Sequence, residues 1–74
     1  MNRDTLKGQW KQARGEVKRR WGKLTDDELD QAEGNFDKLV GRIQERYGYQ
    51  KEQAEREVDQ FLNDYHEPAG SRTP

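Results

Sequence analysis

The sequence predicts an all-α protein: a small open bundle of about four short helices, arranged as two pseudo-duplicated helical hairpins with a flexible C-terminal tail. Three observations predict it. Apolar residues recur at steps of three and four, which places them on one face of a helix. Glycines and one capping box punctuate these stretches where helices stop and start. The first half of the 74-residue chain also overlays the second after a shift of 26 residues. The helical domain is expected over residues 1–65 and the tail over residues 66–74.

The first helix is read from Leu6, Trp10, Ala13, Val17 and Trp21, whose spacing keeps them on one stripe. Asn2 or Asp4 is positioned to cap its start, and Gly22 is expected to end it in the left-handed conformation that glycine tolerates. Thr25-Asp26-Asp27-Glu28 then forms a capping box. The threonine hydroxyl accepts from the glutamate amide, the glutamate reaches back, and the aspartates suit the positive end of the helix dipole. This starts a short helix with Leu29 and Ala32 as apolar contacts. Phe36, Leu39, Val40, Ile43 and Tyr47 make the next apolar face, which Gly48 stops. A last helix begins near Gln50 or Lys51 and carries Ala54, Val58, Phe61, Leu62 and Tyr65. Pro68 ends any helix, and the segment from His66 to Pro74 reads as a mobile tail rich in Pro, Gly, Ser and Thr.

The duplication is specific in its residues. Gly8, Trp10, Gly15, Val17, Arg20, Trp21 and Gly22 fall on Gly34, Phe36, Gly41, Ile43, Arg46, Tyr47 and Gly48. With one residue deleted, Leu24 meets Tyr49 and the Thr25 cap meets Gln50. Each unit is a longer helix, a glycine stop and a capped shorter helix, so two hairpins packed on each other is the simplest architecture. At about 100° per residue, Gly8 and Gly15 lie roughly 140–160° from Trp10, on the outer face of the first helix. Gly34 and Gly41 have the same relation to Phe36. A glycine inside a helix costs about 1 kcal/mol relative to alanine. Either another backbone approaches there or low helix stability is itself useful, and the second reading is the favoured one.

Composition limits what the chain does. Only 28% of residues are hydrophobic and 39% are charged, with a mean hydropathy of -1.54 and a net charge of -1. Low hydropathy alone would favour disorder, but the small net charge favours a weakly folded domain. A core this small gives marginal stability. There is no cysteine, which removes disulfides, thiolate nucleophiles and Cys-ligated zinc. The start shows no apolar signal region and no apolar run approaches the roughly 20 residues of a membrane span. The cytoplasm is therefore the expected compartment, and a monomer the expected state.

These residues and their spacing resemble the CsbD-like family of bacterial general stress-response proteins. The resemblance is carried by Lys7-Gly8-Gln9-Trp10-Lys11-Gln12, by Gly15-Glu16-Val17-Lys18 and by Trp21-Gly22-Lys23-Leu24-Thr25-Asp26-Asp27. It continues through Glu33-Gly34 and from Leu39 to Tyr49, then to Gln53-Ala54-Glu55, and so covers roughly residues 2 to 60. It implies a bacterial source, a cytoplasmic location, expression under stress, a small open helical bundle and no enzymatic activity. It also implies kinship with hydrophilins, glycine-rich polar proteins linked to dehydration. It supplies no functional residues to carry over.

Catalysis, metals and cofactors find little footing. His66 is the only histidine and Ser71 the only serine, both in the tail. Asp26 and Asp27 are accounted for by capping, and the segment to Asp30 lacks the central glycine of a calcium loop. The glycines are spaced by seven rather than clustered into a phosphate-binding loop. No catalytic, cofactor or metal residues are assigned. Charge is segregated along the chain, however: residues 1–24 carry eight basic and two acidic side chains, a net +6, and the remainder carries -7. Lys7, Lys11, Arg14 and Lys18 follow helical spacing, and Lys18-Arg19-Arg20 adds density. These six are candidate anion-contacting residues, for a nucleic acid or a protein partner. The competing reading pairs them with the acidic second half. The first helix also has the amphipathic, basic, tryptophan-bearing form of an interfacial helix. Folding would hide its apolar face, so no membrane binding is expected.

Overall fold

The computed structural model describes residues 1–65; His66, Pro68, Ser71 and the rest of the expected tail lie outside the described residues. It is all-helical: α1 (Arg3–Leu6), α2 (Trp10–Arg20), α3 (Asp26–Ala32), α4 (Phe36–Tyr47) and α5 (Lys51–Asp64). Helix α4 packs most extensively on α5, α3 packs on α4, and α2 lies against α3. The expected hairpins are the pairs α2–α3 and α4–α5, joined through α3 and α4.

Three helix starts follow from side-chain caps. Asn2 and Thr5 form a capping box on α1, and Thr25 and Glu28 form the one expected on α3. On α4, the Asn35 side chain accepts from the Lys38 amide at 3.0 Å. Helix α4 ends at Gly48, whose φ of 72° is left-handed and whose N–H donates to the Gln44 carbonyl. Fifteen apolar side chains form one core, from Leu6 through Trp21 and Ile43 to Leu62. No large apolar side chain among the described residues is exposed.

The single first helix of the sequence reading is in fact two. The chain tightens through Lys7–Gln9, where Gln9 donates to both the Thr5 and Leu6 carbonyls at 3.2 Å and Trp10 donates to Lys7 at 3.3 Å. The Gln9–Leu6 and Trp10–Lys7 bonds are i→i+3 and give a tighter, weaker turn than α-helix. Breaking the helix here lets Leu6 be fully buried while Trp10 stays half-exposed, with its indole N–H donating to the Leu29 carbonyl at 3.2 Å. Gly22 is a second correction. Helix α2 is capped by Trp21 at φ -120°, and among the described residues the left-handed glycines are Gly34 and Gly48. The buried Trp21 ring, edge-on to Phe61 with centroids 5.5 Å apart, holds the end of α2 without that turn.

Gly8 and Gly34 are a third correction, since both lie in junctions and not inside helices. Gly34 has φ 80° and follows Glu33, itself left-handed at φ 54°, so the two together turn the chain from α3 into α4. A Cβ on Gly34 would sit 2.6 Å from the Lys7 Cα and 3.1 Å from the Leu6 carbonyl oxygen. Here the close approach of another backbone explains the glycine. Gly15 and Gly41 are different: both lie within helices and a Cβ on either would have nothing within 4 Å. They face outward, as their angular position predicts.

Candidate functional site

The six basic candidates fall into three groups. Helical spacing puts Arg14 and Lys18 on the flank of α2 that meets α3. Arg14 binds Asp30 at 2.5 Å and lies 3.9 Å from Asp26, while the Lys18 ammonium donates to the Leu24 carbonyl. Arg19 and Arg20 point elsewhere. Arg19 pairs with Glu16 at 3.4 Å on its own helix, and Arg20 reaches Glu57 of α5 at 4.0 Å and the Trp21 ring at 5.4 Å. Lys7 and Lys11 are exposed and make no ion pair among the described residues. The six do not converge on one surface.

Two open grooves flank these helices. One, of about 590 Å³, is lined by Gln31, Glu33, Lys38, Gly41, Arg42 and Glu45, with the bare Gly41 backbone as part of its floor. The other, of about 440 Å³, is lined by Glu16, Arg19, Arg20, Phe61, Asp64 and Tyr65. Among the described residues, no group of three or more His, Cys, Asp or Glu is placed to hold a metal ion. No helix there is long and apolar enough to cross a membrane.

The strongest polar constellations contain partners that sequence reasoning missed: Arg46 on the expected Glu28 cap, and Asp59 on Arg3. Glu28 is the one buried charged side chain among the described residues. Its carboxylate accepts from the Thr25 N–H at 2.9 Å and from the Arg46 Nε at 2.9 and 3.0 Å. The Thr25 amide first, and then the Arg46 guanidinium, hold this carboxyl below its ordinary pKa. Arg3 is the second case. It forks onto Asp59 of α5 at 2.7 and 3.0 Å and lies 3.9 Å over the Phe36 ring. Arg3 lowers the Asp59 pKa, and Asp59 in turn raises that of Arg3.

One signal for the first of these was present in the duplication. Arg20 and Arg46 are equivalent positions, as are helices α3 and α5. Arg20 reaches across to α5, and Arg46 reaches across to α3. Each unit's arginine therefore engages the other unit's capped helix. The corners cross in the same sense: the Lys23 N–H donates to the Tyr47 hydroxyl at 3.2 Å, and the Lys23 ammonium lies 5.0 Å from the Tyr47 ring centroid.

The chain is similar to several known bacterial proteins. The chain is 64% identical over 58 residues to the UPF0337 protein YjbJ of Escherichia coli K12, covering 78% of this chain and 84% of that one. It is 59% identical over 66 residues to the UPF0337 protein ECA0631 of Pectobacterium atrosepticum, covering 89% and 94%. It is 57% identical over 61 residues to the UPF0337 protein PA4738 of Pseudomonas aeruginosa, covering 82% and 94%. The CsbD-like family model matches residues 4–56, well over half of the chain, so the chain belongs to the CsbD-like family.

Proposed function

We propose that this protein is a non-enzymatic, cytoplasmic stress-response protein that acts physically, in the manner of a hydrophilin. A heavily hydrated, weakly folded chain intervenes between other macromolecules during drying, osmotic stress or acid. The observation that carries the reading is the pair Gly15 and Gly41. They occupy equivalent positions inside α2 and α4, open to solvent, where no turn or neighbouring backbone requires glycine. Each weakens its helix by about 1 kcal/mol relative to alanine. With a mean hydropathy of -1.54, these positions favour hydration and local opening over rigidity. The test dries a sensitive enzyme with this protein or with an inert protein of equal charge and mass. Greater recovery of enzyme activity with this protein is expected, and equal recovery refutes the reading.

A second reading is favoured by Lys7 and Lys11, which are exposed and not committed to an ion pair among the described residues. On this reading Lys7 and Lys11 lead the contact with the phosphates of a nucleic acid, weakly and with strong salt dependence, and Arg14, Lys18, Arg19 and Arg20 join only by leaving their present partners. A mobility-shift assay at low salt decides this, and absence of retardation removes it. An adaptor role toward one protein partner would instead appear as stoichiometric crosslinking to a single species in stressed cells.

A further inference from the structure

Helix α1 is attached differently from the rest of the bundle. It has four residues, too few to hold helical structure by themselves. It is joined to α2 through Lys7–Gln9, whose longest bond, Trp10 N–H to Lys7 carbonyl, is 3.3 Å. Its hold on the bundle comes from three contacts: the fully buried Leu6, the Arg3 fork onto Asp59, and the Arg3 guanidinium over Phe36. The receiving surface is acidic around that guanidinium, because the carboxylates of Asp37 and Glu55 add to that of Asp59. Gly34 presents bare backbone to Leu6 and Lys7, so the chain seats closely there. The site thus takes a helical turn bearing a guanidinium and, three residues later, a leucine.

We propose that α1 is a detachable strap and that its docking site also accepts the α1 of a second copy, giving a strap-exchanged dimer at high protein concentration. The contacts in such a dimer are those the monomer already makes, so exchange needs no new complementary surface. The three-residue hinge, extended, spans about 10 Å. Within one chain α1 competes at an effective concentration on the order of millimolar, so exchange populates only above that level. Loss of water raises protein concentration into that range.

Charge reversal tests it. Arg3→Glu puts a carboxylate against the acidic site and releases the strap in its own chain. Asp59→Arg sets two guanidinium groups against each other. Each variant alone is expected to remain monomeric by sedimentation at about 1 mM, with amides of residues 2–6 exchanging rapidly with solvent. Mixed, the two are complementary: the native strap of Asp59→Arg fits the native site of Arg3→Glu, and the two altered groups attract each other. The mixture is expected to show at least about a tenfold greater association constant than either variant alone, as two matched pairs imply. Slow exchange at residues 2–6 returns with it. The double variant Arg3→Glu/Asp59→Arg closes on itself and stays monomeric at that concentration. Helical circular dichroism of each variant verifies that α2–α5 remain folded. The proposal is overturned if the mixture stays as monomeric as its components, if Arg3→Glu alone dimerises equally, or if residues 2–6 stay protected in that variant.

Discussion

Alanine substitution at three glycines separates the two reasons for glycine in this chain. At Gly15 and Gly41 a new Cβ meets nothing within 4 Å, and both residues lie inside helices. Alanine there gains helix propensity of about 0.8–1 kcal/mol at each site. The sites share no contact, so the double variant gains about 1.6–2 kcal/mol. For a domain of this size that raises Tm by roughly 6–16 °C. Gly34 gives the opposite sign. Its φ of 80° costs alanine about 1–2 kcal/mol, and a Cβ at 2.6 Å from the Lys7 Cα must displace backbone. Displacement of this kind adds about 1–3 kcal/mol, comparable to an overpacked core. Urea unfolding of the three proteins, followed by circular dichroism at equal slope, measures both effects. A destabilised Gly15→Ala/Gly41→Ala variant, or a neutral Gly34→Ala, would refute the reasoning. The stabilised double variant also bears on function, since the weak-fold reading predicts that it protects a drying enzyme less well than the native chain.

Other outcomes follow from single contacts. Thr25→Ala removes the acceptor for the Glu28 amide and is expected to cost about 1 kcal/mol, seen as a fall in Tm of roughly 4–8 °C. Leu6→Ala empties a fully buried position and should cost about 2–5 kcal/mol or detach α1, which amide exchange at residues 2–6 distinguishes from global loss. Stability also depends on acid. The folded pKa values of Glu28 and Asp59 both lie below their unfolded values, so their contribution is complete above about pH 5 and is lost as pH falls through the lowered folded values. Thermal melts from pH 7 to pH 2 should show this decline, and Glu28→Gln should melt lower at pH 7 with a shallower acid limb. An acid limb as steep as the native one in that variant would show that Glu28 does not cause it.

How far the sequence reveals this fold depends on where each decision is made. Helices α3, α4 and α5 are legible because their signals are local: a capping box at Thr25 and Glu28, a left-handed stop at Gly48, and apolar steps of three and four. The break between α1 and α2 is hidden for the opposite reason. Leu6 and Trp10 keep helical spacing across it, so periodicity alone runs straight through. What breaks the helix is tertiary, the seating of Leu6 and Lys7 on the backbone of Gly34. Gly22 misleads in a similar way, since the burial of Trp21 ends α2 before any left-handed turn is needed. The basic stripe was visible as spacing, but its partners Asp30, Glu57 and Leu24 are set by helix packing that spacing does not encode.

The duplicated arginines show how a repeat this short becomes one domain. A single unit of a longer and a shorter helix cannot bury its apolar face alone. The second unit covers it, and Arg20 and Arg46 each cross to the capped helix of the opposite unit. The two crossings differ in strength. The Arg46 Nε–H is shared between both oxygens of buried Glu28, whose carboxylate also closes the α3 capping box by accepting from the Thr25 N–H, whereas the Arg20 contact with Glu57 is half-exposed and spans 4.0 Å. An exposed pair of that length contributes at most about 1 kcal/mol. The second-unit arginine therefore adds to the bundle's hold, while the ends of α2 and α5 are held by the buried Trp21–Phe61 contact more than by Arg20. Opening should begin at the α1 strap, whose Arg3–Asp59 contact is solvent-exposed, while α3 and α4 hold together longest.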